Sequence, residues 1–128
     1  MFANDVLSFA DYPVHFVETD ELEAIVATAR AAGFLVAELD GSSVEPPLFV
    51  AVGAVLKSPL EAVGWDSLQD ILRDFSWVDA PGYVLAVSGA LDLWQKDPRS
   101  AGTLVECVQS ASLDWRHWGK PMHLVFAW

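Results

Sequence analysis

Cysteine is almost missing from this chain of 128 residues: Cys107 stands alone, so no intrachain disulfide can form. That usage suits a reducing compartment. Positive charge is also scarce. Seven Lys and Arg residues face eighteen Asp and Glu, for a formal net charge of −11. Phosphates would be repelled by such a chain, so neither nucleic acid nor an anionic membrane surface is expected as a partner. A basic partner, or none, is favoured. Long apolar runs are missing too, which leaves no candidate for a membrane-spanning helix. Residues 1–10 hold no Lys or Arg and only a short apolar stretch, unlike a secretory signal. A cytoplasmic protein is the expectation. Glycine-rich phosphate loops, Gly-x-Ser-x-Gly, His-Glu-x-x-His and Cys/His metal spacings are all absent from the sequence. No enzyme motif, metal or cofactor is therefore expected.

What is present is an ordinary globular composition, 53% hydrophobic and 20% charged. The length fits one domain over 1–128, able to bury roughly 70% of its unfolded surface without a metal or disulfide staple. Val14–Val17 reads as a short strand. Leu22, Ile25, Val26 and Ala29 then mark one helix face, with Thr19 or Asp20 as its cap and Gly33 as its stop. Phe34–Leu39 reads as a strand ending in the Asp40-Gly41 turn. Leu48–Leu56 follows Pro46-Pro47 as a helix apolar nearly all round, hence well buried. Trp65–Phe75 is a helix and Tyr83–Val87 a strand whose continuous apolar character implies cover on both faces. Asp92–Arg99, polar and holding Pro98, reads as a connection. A helix carrying Leu104, Cys107, Val108 and Ala111 runs to about Trp115, and Leu124–Phe126 is the last strand. The order β-α-β-α-α-β-α-β, without tight hairpins, predicts an α/β fold with a small parallel sheet and right-handed crossovers.

The richest segment is Trp65-Asp66-Ser67-Leu68-Gln69-Asp70-Ile71-Leu72-Arg73-Asp74-Phe75. At 100° per residue, Asp66, Asp70 and Asp74 fall within about 80° of arc, opposite Leu68, Ile71, Leu72 and Phe75. Like charges at i, i+4 cost a helix roughly 0.2–0.5 kcal/mol per pair, and this stripe carries two such pairs. Asp66 recovers part of that at the helix N-terminus, while Asp74 lies at the unfavourable end. Arg73 lies beside the stripe, within reach of Asp70. Periodicity leaves two readings open: a solvated surface helix, or a docking face whose carboxylates meet Arg or Lys of a cationic partner.

The runs Leu39-Asp40-Gly41-Ser42, Trp65-Asp66-Ser67-Leu68-Gln69-Asp70-Ile71-Leu72 and Trp77-Val78-Asp79 resemble the barstar family of ribonuclease inhibitors. The resemblance covers about residues 34–128 and makes residues 1–33 an added N-terminal β–α unit on a barstar-like core. It implies a small parallel sheet flanked by helices. It also implies a protein that plugs the active site of a basic secreted ribonuclease, or of a bacterial toxin's nuclease domain, inside the producing cell. Asp66 and Asp70 match the two helix carboxylates that enter the nuclease's phosphate-binding cleft in place of RNA phosphates. Trp65, Gln69, Arg73, Asp74 and Trp77 would surround them. An immunity or assembly module for a non-nuclease partner is the alternative. The chain departs from the family pattern in three places. Glu61-Ala62-Val63-Gly64 stands where the family has aromatics and Asn, Gln69 replaces an aromatic, and Gly102 an acidic residue.

Other residues have milder readings. Cys107, between Leu104 and Val108, is a small core residue. Asp66 and Asp70 lie one helical turn apart, a spacing compatible with a hydrolytic pair. Nothing around them marks the pocket that would raise a carboxyl pKa, and two ligands fall short of a calcium site. His15, His117 and His123 are far apart in sequence. Trp115–Lys120, aromatic and cationic, is either a second contact region or a surface turn with its rings packed inward. Trp94, Trp115, Trp118 and Trp128 are expected in the core or over strand ends.

Overall fold

The computed structural model describes Leu7 and residues 12–128; apart from Leu7, the stretch 1–10, unlike a secretory signal in its sequence, lies outside the described residues. Four strands form one sheet: β1 (Val14–Val17), β2 (Leu35–Asp40), β3 (Tyr83–Ser88) and β4 (Met122–Ala127). Their spatial order is β1-β4-β3-β2, and every pair is parallel. Among residues 12–128 five helices connect them: α1 (Thr19–Ala31), α2 (Leu48–Val55), α3 (Trp65–Asp74), α4 (Ala90–Lys96) and α5 (Pro98–His117). The fold is α/β, with the small parallel sheet flanked by helices that the resemblance implies and the N-terminal β–α unit in place as β1 and α1.

The two central strands explain the architecture. Every residue from Tyr83 to Val87 and from Met122 to Ala127 is buried, because both sheet faces are covered. On one face Val84, Ala86, Val125 and Ala127 pack against Ile25, Val26 and Ala29 of α1. On the other, Leu85, Val87, Leu124 and Phe126 meet Leu68 and Leu72 of α3 and Leu104 and Val108 of α5. The added N-terminal unit thus shields a sheet face that α2, α3 and α5 leave bare.

Several local expectations need correction. Ala90–Lys96 is a helix, not part of a connection. Pro98 is not a breaker there; it opens α5, where a missing N–H costs nothing, and the Asp97 side chain caps the turn by accepting from Ser100 N at 3.2 Å. Neither Thr19 nor Asp20 caps α1. Glu18 holds that position without a side-chain bond, while the Thr19 hydroxyl donates to Trp128 O at 2.8 Å, tying the helix start to the chain end. The stop at Gly33 holds, with φ +83. α2 is buried only along Leu48, Val52 and Gly53, and its other apolar side chains are half-covered or exposed. Trp118 is 74% exposed and so lies outside the core, unlike Trp115.

The parallel pairing of the first strand with the last brings together two histidines 108 residues apart. His15 Nε2 lies 3.1 Å from His123 Nδ1. Burial pushes the His15 pKa below its ordinary value. A ring favoured neutral in the fold takes its proton at lower pH than in the unfolded chain. Its contribution to stability is therefore complete above about pH 6.5 and shrinks as the pH falls below that. Urea midpoints should drop between about pH 6.5 and 5, and drop less in a His15→Gln chain. An equal drop in both would remove His15 as the source.

Candidate partner-binding site

α3 begins at Gly64, which has no side chain to cap with, so the helix borrows from inside itself. Ser67 Oγ accepts from Val63 N at 2.8 Å and Gly64 N at 3.2 Å. This half of a capping box anchors the segment entering the helix. The helix ends at Phe75, in the left-handed region at φ 46. The Phe75 ring is buried, stacked on Tyr83 at 4.2 Å and beside Trp77 at 5.2 Å. Leu68, Ile71 and Leu72 bury the inner face. The outer face follows from the same periodicity: Asp66, Asp70 and Asp74 are all exposed.

Arg73 does not pair with Asp70. Its Nε lies 2.9 Å from Asp114 Oδ2 and its Nη2 donates to Ser110 Oγ at 2.7 Å, both on α5. Position 73 sits on the flank of α3 that faces α5, so the guanidinium reaches across the helix pair rather than back along the stripe. Gln69 points the same way, its Nε2 donating to Cys107 O at 3.1 Å. Trp115 Nε1 adds a third tie, to Leu72 O at 2.7 Å. These bonds fix α3 on α5. Among the described residues neither Asp66 nor Asp70 has an ion pair, while Asp74 accepts a hydrogen bond from Ser76 Oγ at 3.2 Å.

The two tryptophans are half-buried supports. Trp65 packs edge-on against Phe49 of α2 at 5.6 Å. Trp77 donates through Nε1 to Leu56 O at 3.3 Å and sits beside Phe75. Between α3 and residues 58–63 runs an open groove of ≈390 Å³, walled by Leu60, Val63, Asp70, Ile71, Asp74 and Trp77. It went unread in the sequence, because its walls come from three segments that only the fold brings together.

Cys107 is buried, and burial, then the neighbouring Glu106 charge, pushes its thiol pKa up, as in an inert core cysteine. No cluster of three or more His, Cys, Asp or Glu suited to a metal occurs among the described residues. No helix of the described residues is long and apolar enough to cross a membrane.

The site therefore consists of one amphipathic helix, pinned along its inner side and one flank, with a row of exposed carboxylates outward. No curated protein and no solved structure matched the chain. The family model described as Barstar (barnase inhibitor) matches residues 35–127, from the start of β2 to the end of β4 and across the whole of α3. With that match over most of its length, the chain belongs to the barstar family.

Proposed function

We propose that this protein is a non-enzymatic inhibitor that occludes the active site of a basic ribonuclease or nuclease toxin in the cytoplasm of the producing cell. α3 lies across the phosphate-binding cleft of the nuclease. Asp66 and Asp70 take the places of RNA phosphates and pair with the Arg or Lys residues that bind them. Trp65, Gln69, Arg73, Asp74 and Trp77 surround these two carboxylates, partly at the interface and partly as the props that hold α3 in place. The family match supports an inhibitor of this kind. The observation that carries the reading is the exposure of Asp66 and Asp70 while the guanidinium on the same helix, Arg73, is held by Asp114. Three like charges on one helix weaken it slightly, and an acidic chain gains from that arrangement when a cationic cleft meets it.

Inhibition of basic ribonucleases, of the barnase type and from toxin nuclease domains, tests the proposal. A stoichiometric block of RNA cleavage is expected. The association rate should fall about tenfold or more between low and high salt, because screening shortens the reach of the field. A chain that inhibits none of these nucleases, or that binds one at a rate indifferent to salt, would end this reading.

A further inference from the structure

The groove beside α3 is a different kind of surface from the carboxylate row, although the two share Asp70 and Asp74. Part of its lining is apolar: Leu60 is 74% exposed, Val63 is 81% exposed, and Ile71 and Trp77 line the same hollow. Single exposed apolar side chains are common and need no explanation. Two on one six-residue segment, lining one hollow together with an indole, form a surface that gains by being covered. The rest of the lining is largely acidic. Glu61, Asp70 and Asp74 all line the groove, and no Lys or Arg does.

The groove is also built to keep its shape. Ser58 Oγ donates to Leu60 O at 2.7 Å and accepts from Leu60 N at 3.2 Å, folding the segment on itself. Ala62 is buried and seats against Gly53 of α2, where a Cβ would come within 3.2 Å of the Ala62 methyl. Ser67 then holds the amides of Val63 and Gly64. A segment fixed in this way loses little further freedom on binding.

We propose that this groove reads a two-residue feature of a basic protein partner: a Lys or Arg next to a bulky apolar residue. The cation lies between Asp70 and Asp74, and the apolar side chain fills the hollow between Leu60, Val63 and Trp77. Charge decides the first half of the assignment, since three carboxylates without a cation call for a positive guest. The apolar lining decides the second, since a bare cation would leave Leu60 and Val63 in water. At ≈390 Å³ the groove takes two side chains, near the low end of the roughly 300–1,000 Å³ typical of small-ligand sites. An arginine here can also lie over the indole face of Trp77. Within the inhibitor reading, on which this assignment rests, Asp66 and Asp70 recognise any cationic cleft and the groove selects among them.

Three small probes separate the two halves: Phe-Arg amide, Gly-Arg amide and Phe-Gln amide, titrated into the full chain labelled with ¹⁵N. Phe-Arg amide should shift the amides of Leu60, Val63 and Ile71, and should bind about tenfold more tightly than either of the others, a difference of about 1.4 kcal/mol. A Leu60→Ser, Val63→Ser chain should bind Phe-Arg amide no better than Gly-Arg amide. Both side chains are exposed, so the fold is retained. Equal affinity for the three peptides, shifts elsewhere on the surface, or a preference that survives the double substitution would each overturn the assignment. Its failure is separable from that of the inhibitor reading. Flat peptide binding alongside intact nuclease inhibition removes the groove alone, whereas selective peptide binding without nuclease inhibition removes the nuclease alone.

Discussion

An Asp70→Ala chain is expected to bind the proposed nuclease partner about 2–5 kcal/mol more weakly, roughly 30-fold to several thousand-fold. That is the range for truncating one member of a desolvated charge pair, barnase–barstar complexes being among its sources. The same change should make the inhibitor more stable. Asp70 is the middle member of the stripe, with Asp66 four residues before it and Asp74 four after. Removing it relieves two like-charge contacts, about 0.4–1 kcal/mol together, and alanine is the better helix former. No ion pair is lost, since Asp70 has none among the described residues. Titration calorimetry at low salt and thermal unfolding should therefore move in opposite directions, with Tm rising by a few degrees. Asp66→Ala separates the two effects. It relieves one repulsion but gives up a favourable charge in the first helical turn, so its stability should stay near that of the parent while binding falls. Unchanged affinity in Asp70→Ala would take that carboxylate out of the interface.

Opposite signs are what a binding surface on an otherwise ordinary fold should produce. The inner face of α3 follows the rules of stability: Leu68 and Leu72 are almost completely buried, and Ile71 nearly so. The outer face breaks them, with three carboxylates at i, i+4 spacing and the last at the negative end of the helix dipole. The bonds from Gln69, Arg73 and Trp115 hold the strained helix in place from its flank.

How much of this was legible in the sequence depends on the reach of each interaction. β3 and β4 announce themselves because a strand covered on both faces is a continuous apolar run, and α3 because its two faces alternate with the helical period. α4 was hidden: it is short, Asp92, Gln95 and Lys96 make it polar, and Pro98 looks like a stop until Asp97 is seen capping the next helix. Arg73 offered Asp70 one turn back and took Asp114 on another helix, a choice that depends on how α3 lies against α5. The meeting of His15 with His123 needed the first strand to pair with the last. The carboxylate row, being local, was visible. The groove, assembled from residues 58–63, one flank of α3 and Trp77, was not.

Phe75 is where the fold and the site meet, and its substitution should have the largest effect on stability. The ring is 2% exposed and lies against Tyr83, Trp77 and Trp115. Truncation to alanine leaves a cavity among these rings and should cost about 3–5 kcal/mol. The backbone makes a sharper test possible. At φ 46 this residue occupies the left-handed region, which costs a residue with a Cβ roughly 1–2 kcal/mol. Glycine escapes that cost and loses about 0.5–1 kcal/mol through the freedom of its unfolded chain. Phe75→Gly should therefore be more stable than Phe75→Ala by about 0.5–1 kcal/mol, the reverse of the order in a helix interior. Urea unfolding of the two variants measures the difference directly. A less stable glycine variant would mean that α3 does not end in a left-handed turn in solution. The end of the helix, and with it the position of Asp74 and the mouth of the groove, would then have to be redrawn.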